Sequence, residues 1–294
     1  MRGLCIMILL VAGAVAGGGN EIAIPAMNAG GVSASDEARA STNYRITDSL
    51  GLFAGTACAS TNYRIEHGAW ASEPRIETDV CLSPAKTYPD GVLFRFTGKV
   101  STAGTDAFDK RFYVEEIDQS SALQVRYGIS TGPTVKAGYS VEATGRLATI
   151  DDERVLELPY VKVISENETP AEPVFMLSRD AGGEALNEYT PGVWLGRGPY
   201  NIGLLVRMFG DVVYKDPGGT FFYLDDGSGI DDGVCLGIRV MCTGLATGNT
   251  ITPPALGKYV SVYGIVSTTI PSSQPVRCLR PRTKYDILVI PRHP

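Results

Sequence analysis

The chain has 294 residues, 32 of them acidic and 26 basic, for a formal charge of −6. That length accommodates two modest domains with a leader and linkers. The acidic balance excludes a whole-molecule electrostatic grip on a polyanion and leaves only a local basic patch for that purpose. Glycine (34) and proline (18) together exceed a sixth of the chain, and with many Val, Tyr and Thr residues this reads as strands joined by tight turns.

The first sixteen residues read as a signal peptide. Arg2 supplies a positive n-region, Leu4 to Val15 form an apolar core, and Ala14-Val15-Ala16 offers a small-residue cleavage site before Gly17. No lipobox-like cysteine follows, and no later apolar stretch approaches the ~20 residues of a membrane helix. The expected location is therefore secreted or cell-envelope. Cys5 leaves with the leader, and Cys58, Cys81, Cys235, Cys242 and Cys278 remain. Export permits disulfides, with Cys58–Cys81 and a pair among the last three as the open alternatives. An odd count leaves at least one thiol over.

Residues 17–35 read as a flexible segment. In residues 36–80, Ala40-Ser-Thr-Asn-Tyr-Arg-Ile46 recurs verbatim as Ala59-Ser-Thr-Asn-Tyr-Arg-Ile65. Each copy alternates like a strand, and Asp48-Ser-Leu-Gly51 suits a turn between them. The pair resembles an S-x-N-Y repeat found after the leader in many bacterial secreted proteins, and it reads as a β-structured stalk or packing element.

A second, longer repeat follows. Phe94–Val100 aligns with Val206–Val212, Phe112–Glu116 with Phe222–Asp226, and Leu123–Val125 with Ile238–Val240. Gly138–Gly145 aligns with Gly257–Gly264, both glycines kept, and Arg154–Leu156 with Arg277–Leu279. Five segments in the same order imply a duplicated five-strand unit. Period-two alternation puts Phe112, Val114, Phe222 and Leu224 inside, and Tyr113, Glu115, Phe221, Tyr223 and Asp225 outside. Gly98, Gly145, Gly210 and Gly264 fall inside strand patterns, where they mark bulges or sharp bends.

Five short strands, a bend glycine in the first, and the turn Asp225-Asp-Gly-Ser-Gly-Ile230 after the second resemble the OB-fold. Gly257-Lys-Tyr-Val-Ser-Val-Tyr-Gly264 is similar to that fold's fourth strand. The resemblance implies an all-β chain with two tandem five-stranded OB-like barrels at 82–165 and 175–291, joined by a linker at 166–174. Residues 127–137 and 241–256 are rich in Gly, Thr and Pro, so the helix common there is expected to be absent or rudimentary. Ser83-Pro84 has N-cap and N1 chemistry for one short helix. A second is expected near Ala181 to Leu186.

Catalytic chemistry finds no purchase in these motifs. His67 and His293 sit in turn-like or terminal contexts, no nucleophile elbow, phosphate loop or zincin pattern occurs, and adjacent acids on a strand point to opposite faces. Binding is better served. OB-like barrels hold ligands across strands two and three, and there the first copy would offer Arg111, Tyr113 and Tyr127, the second Phe221, Tyr223 and Arg239. Aromatics with interleaved arginines suit stacked bases, and equally glycans, peptides or a cell-envelope component. The basic cluster Arg277, Arg280, Arg282 and Lys284 could recruit phosphate, or simply protect an edge strand with charge. Asp225, Asp226, Asp231 and Asp232 could wrap a calcium ion, although the loop lacks EF-hand spacing and a late Glu; the plainer alternative is a β-hairpin loop. No other cofactor is implied. The reading is a non-enzymatic exported binding or structural protein, with single-stranded nucleic-acid binding by the second barrel as the alternative.

Overall fold

In a computed structural model the described residues are 81–128, 131–271 and 273–291, together with strands at 39–40, 44–47, 56–60, 64–67 and 76–78. The signal peptide, the 17–35 segment, the 48–51 turn and His293 lie outside them. The chain divides into two compact units, Met1–Glu73 and Pro74–Pro294.

In the first unit, β1 (Arg39–Ala40), β2 (Tyr44–Thr47), β3 (Thr56–Ser60) and β4 (Arg64–His67) form an antiparallel sheet in sequence order. The verbatim repeat has a simple structural meaning. Each copy contributes to two paired strands: Ala40 ends β1 and Tyr44-Arg-Ile46 begins β2, while Ala59-Ser60 ends β3 and Arg64-Ile65 begins β4. The sheet is thus two like hairpins paired through β2 and β3, with Ile46 opposite Cys58.

Among its described residues the second unit is all-β apart from three short 3-10 turns. Its first sheet contains β5 (Ile76–Thr78), β6 (Leu93–Ala103), β7 (Arg111–Glu115), β8 (Ala122–Arg126), β9 (Ser140–Ile150) and β10 (Glu153–Ser165). Strands β6 to β10 pair in the order β6-β7-β8-β10-β9, and β9 returns to β6, so the five close into a barrel compatible with the OB-fold. Closure depends on one strand serving two neighbours. The first part of β6 pairs with β9 and its last part with β7. Gly98 sits just ahead of the changeover at Val100, at φ +71 inside a register shift of the β6–β9 pairing, a conformation an L side chain adopts at a cost. Gly145 answers a different need. It lies opposite the bulge at Leu158–Pro159, and a Cβ there would press on the Glu157 carbonyl. Inside the barrel pack Phe94, Phe96, Phe112, Val114, Leu123, Val125 and Leu156; of these, alternation assigned Phe112 and Val114 to the core.

The second sheet contains β11 (Val174–Phe175), β12 (Leu205–Lys215), β13 (Phe221–Asp225), β14 (Ile238–Met241), β15 (Tyr259–Thr269), β16 (Val276–Arg280) and β17 (Ile287–Val289). Strands β12 to β16 repeat the pairing order of the first sheet, including the β12–β15 contact. The registers match as well. Phe94 faces Gly145 as Val206 faces Gly264, and Tyr113 faces Gln124 as Tyr223 faces Arg239. Both sheets also carry a short parallel strand on the edge of their first long strand, β5 on β6 and β11 on β12, outside the five aligned segments.

The 3-10 turn at Ser83–Lys86 starts one residue earlier than the Ser-Pro pattern suggests. Leu82 is the N-cap and makes no side-chain cap bond, while Pro84 keeps its favoured early position. The helix expected near 181–186 is replaced by a 3-10 turn at Ser178–Asp180, because Gly182 and Gly183 follow at positive φ. The described parts of 127–137 and 241–256 hold no helix, as their composition implies. Cys235, Cys242 and Cys278 are free thiols, which corrects the pairing expected among them: Cys242 lines the core of the second sheet while Cys278 points away from it. Cys81 is also free, and the Cys58 side chain lies outside the described residues.

The linker expected at 166–174 is short and held down. Glu168 N donates to Gly138 O at 2.8 Å, and Gln119 Nε2 to Glu172 O at 2.8 Å. The two sheets then pack directly on each other. Phe108 and Leu245 form an isolated β-bridge between loops of the two sheets, flanked by Asp109 N to Gly244 O (3.1 Å) and Ala246 N to Ala107 O (3.0 Å). Ala103, Ala107, Phe108 and Tyr113 from the first sheet share an apolar cluster with Leu205 and Ile265 from the second.

Candidate functional site

On the first barrel the outward residues of β7 are Arg111, Tyr113 and Glu115. The second sheet lies across them. Tyr113 is fully buried, stacks edge-on against Phe108 with centroids 5.7 Å apart, and accepts a hydrogen bond from Gln124 Nε2 at 2.7 Å. Burial pushes its hydroxyl far above the ordinary tyrosine range. Arg111 reaches Gly244 O at 3.3 Å. Neither lines an open groove, which corrects the expectation of a ligand face here. Tyr127 is corrected for another reason. Period two places it with Leu123 and Val125, and it packs in the barrel against Phe112 with its hydroxyl donating to Pro133 O at 2.9 Å. Burial pushes that hydroxyl up to about 12.

Glu115 and Lys86 sit within the same contact between the sheets. Glu115 is 2 % exposed; its Oε2 accepts from Leu205 N at 2.9 Å, and its Oε1 has no partner. Burial, opposed by that backbone bond and by Lys86, raises its carboxyl from 4.5 to about 7. Lys86 donates to Ile202 O at 2.9 Å, and burial lowers its amino group from 10.5 to about 7. A carboxyl raised in the native chain holds its proton there but not in the unfolded chain between pH 4.5 and 7. The contribution of this group to stability is therefore full below pH 4.5 and is lost as pH rises through that window, on the order of 3 kcal/mol. Lys86 acts in the opposite sense, so stability recovers from pH 7 toward 10.5. Chemical denaturation of Glu115→Gln across pH 4.5 to 7 should lose most of the downward slope; a slope equal to that of the parent would contradict this origin.

The matching face of the second sheet is organised differently. Phe221, Tyr223 and Arg239 do share its outer surface. The Arg239 guanidinium lies 4.4 Å from the Phe221 ring centroid and 5.2 Å from that of Tyr223. Arg239 Nη2 donates to the Tyr223 hydroxyl at 2.6 Å, and that hydroxyl donates to Asp232 Oδ2 at 2.6 Å. Asp232 also pairs with Arg239 at 3.3 Å. Burial, followed by the Asp232 bond, raises the Tyr223 hydroxyl well above its ordinary value. Tyr223 and Arg239 are thus a buried floor. Phe221 and Tyr214 form the accessible layer above it, stacked at 6.1 Å with 24° between their planes.

Tyr214 was not anticipated, and the reason is local. Val212 faces the core, so strict alternation would send Tyr214 inward too. The register shift between them adds a residue and places Tyr214 opposite Tyr223 on the outer face.

The remaining expected residues are engaged within the chain. Arg280 donates to Ser267 Oγ at 2.9 Å and Thr268 O at 3.1 Å. Arg282 forks onto Asp286 at 2.8 and 3.1 Å and reaches Thr102 O in the first sheet at 3.0 Å. Arg277 binds backbone carbonyls of residues 178–179 and 194–195, and Lys284 lies 5.1 Å from the Tyr285 ring. The basic cluster therefore does not present itself as one patch. The four loop carboxylates cap backbone amides: Asp225 accepts from Gly227 N, Asp226 from Ser228 N and Ser178 N, Asp231 from Gly233 N, and Asp232 from Val234 N. Among the described residues no group of three or more His, Cys, Asp and Glu is placed to hold a metal ion. The hairpin-loop alternative describes this geometry, with each Asp closing its own turn.

Fold and site together define an all-β class: a closed five-strand barrel compatible with the OB-fold, and a second sheet whose outer face carries an aromatic–arginine layer. No protein-family model and no curated protein matches the chain. Among the described residues no helix is long and apolar enough to cross a membrane.

Proposed function

We propose that the chain is a non-enzymatic binding module exported to the cell envelope, built from tandem OB-like barrels, with its ligand surface on the second. The second sheet is read as that barrel from its β12–β15 pairing. Export is read from the leader-like first sixteen residues. One observation carries the ligand surface. The customary ligand face of the first barrel is covered by the second sheet, whereas Tyr214 is 37 % exposed on the equivalent face of the second. A pre-stacked ring pair over a fixed guanidinium gives a flat ligand a platform with few rotamers left to order.

The engaged arginines weigh against single-stranded nucleic acid, since a phosphate track needs unpaired cations along the groove. Thermal-shift titration of the mature chain with calcium, neutral glycans, peptides and oligonucleotides tests all classes together. The expected result is a stabilising ligand whose affinity drops about tenfold in Phe221→Ala, the loss typical of one stacking contact. Turnover of a glycan, peptide or nucleotide would overturn the non-enzymatic part. Finding no ligand in that panel whose affinity falls in Phe221→Ala would overturn the surface.

A further inference from the structure

The second sheet carries two segments that are longer than their counterparts in the first. Its second and third strands are joined by residues 226–237, against 116–121 in the first sheet. Its parallel edge strand is joined to its first long strand by residues 176–204, against 79–92. These two extensions meet. Between them lies a cleft of about 850 Å³, a size that suits a small ligand.

One wall is a rigid loop. Side chains at Gly183 and Gly196 would overlap the Pro199 and Gly183 carbonyls, so the chain crosses itself with no room to spare. Asn201 ties it further, accepting from Gly182 N and donating to Asp180 O, both at 2.7 Å. Arg277, 7 % exposed, holds two passes of this loop together by donating to Arg179 O at 2.5 Å and Leu195 O at 3.0 Å. At the tip stand Trp194, 39 % exposed, and Leu195, 66 % exposed with φ +55. A bulky residue held in the left-handed region on a braced loop stores strain of the kind found at ligand clamps.

The charges say which ligand fits. Three arginines and three aspartates line the cleft, and Arg277 and Asp232 are already engaged inward. The rim keeps both signs, with Arg179 and Arg197 beside Asp180 and Asp231. An anion would meet the carboxylates and a cation the guanidiniums. A neutral ring with hydroxyls around its edge and C–H bonds on its face suits all of them. Carboxylates accept from hydroxyls, guanidiniums donate to them, and an indole covers the apolar face.

We propose that this cleft binds a neutral pyranose unit of a glycan, with Trp194 as the stacking platform and Asp231 and Arg197 as hydroxyl partners. It stands apart from the Tyr214–Phe221 face, and Asp232 lies in the wall between the two. The chain has two tryptophans, Trp70 and Trp194, so Trp70→Phe leaves one reporter in the cleft. That variant is titrated with neutral hexasaccharides of glucose, mannose, galactose and N-acetylglucosamine up to millimolar concentration, following tryptophan emission. The expected result is a saturable blue shift with at least one of them. By calorimetry, affinity for that sugar falls about tenfold or more in both Trp194→Ala and the milder Asp231→Asn, and stays unchanged in Tyr214→Ala. Silence with all four sugars, or equal affinity in Asp231→Asn and Trp194→Ala, overturns the cleft. Loss of sugar binding in Tyr214→Ala alone would assign the sugar to the other face.

Discussion

Arg154→Met should lower the unfolding free energy of the Pro74–Pro294 unit by about 3–4 kcal/mol, and its melting temperature by roughly 10 °C. Arg154 is the largest fully buried side chain in the described chain, at 1 % exposure on β10. Its guanidinium gathers a loop: Nε donates to Ala85 O at 3.0 Å, Nη2 to Tyr88 O, and Nη1 to Asp90 and to Thr149 Oγ1. Methionine keeps most of the apolar stem but leaves the Ala85 and Tyr88 carbonyls without those donors. Asp90 is half-exposed and can turn to water, so the loss falls mainly on the carbonyls. Arg95→Met is the control, because its pair with Glu142 at 2.7 Å lies on the surface and should cost under about 1 kcal/mol. Equal melting temperatures for the two variants would show that the Arg154 network contributes nothing beyond an exposed ion pair.

Phe108→Ala should be comparably damaging, at about 3–5 kcal/mol, although Phe108 belongs to a loop rather than a strand. Its ring is fully buried between the two sheets, edge-on to Tyr113 and beside Leu205 and Ile265. Truncation opens a cavity in a small apolar cluster that joins the sheets, while each sheet keeps its own interior. The denaturant midpoint should therefore fall and the transition broaden, as the sheets begin to unfold separately. Fluorescence and far-ultraviolet circular dichroism should coincide in the parent chain and give separate curves in Phe108→Ala. An unshifted midpoint would mean that the hydrogen bonds across the contact hold the sheets together without the ring.

Both residues show how far sequence reasoning reaches. Arg154 falls in a matched repeat segment, where it reads as an ordinary fifth-strand residue aligned with Arg277. Its two neighbours in space, 85–90 and 149, cannot be inferred from strand periodicity. Phe108 lies between two repeat segments and belongs to none of them, so nothing in the pattern marks it as the centre of a contact.

The strand core was legible because alternation with period two is a local property. Phe112, Val114, Phe222 and Leu224 face inward for the same reason their sequence spacing says they should. The bend at Gly98 was legible because only glycine takes that conformation cheaply. The duplication was legible because the two copies retain both register and glycines. Tyr214 escaped because one bulge residue reverses the alternation that the argument relies on.

What the sequence could determine by itself was thus which side of each strand faces a core, and that two such units follow one another. It could not decide what lies against the outer sides. Tyr113 and Tyr223 occupy equivalent positions and both point away from their own cores, yet the second sheet covers Tyr113 while Tyr223 lies beneath Tyr214, Phe221 and the Asp232 loop. That difference comes from residues distant in the chain, brought together by packing of one sheet on the other and by a long loop folding back. Local periodicity carries no information about either, and tertiary structure alone settles which face stays exposed.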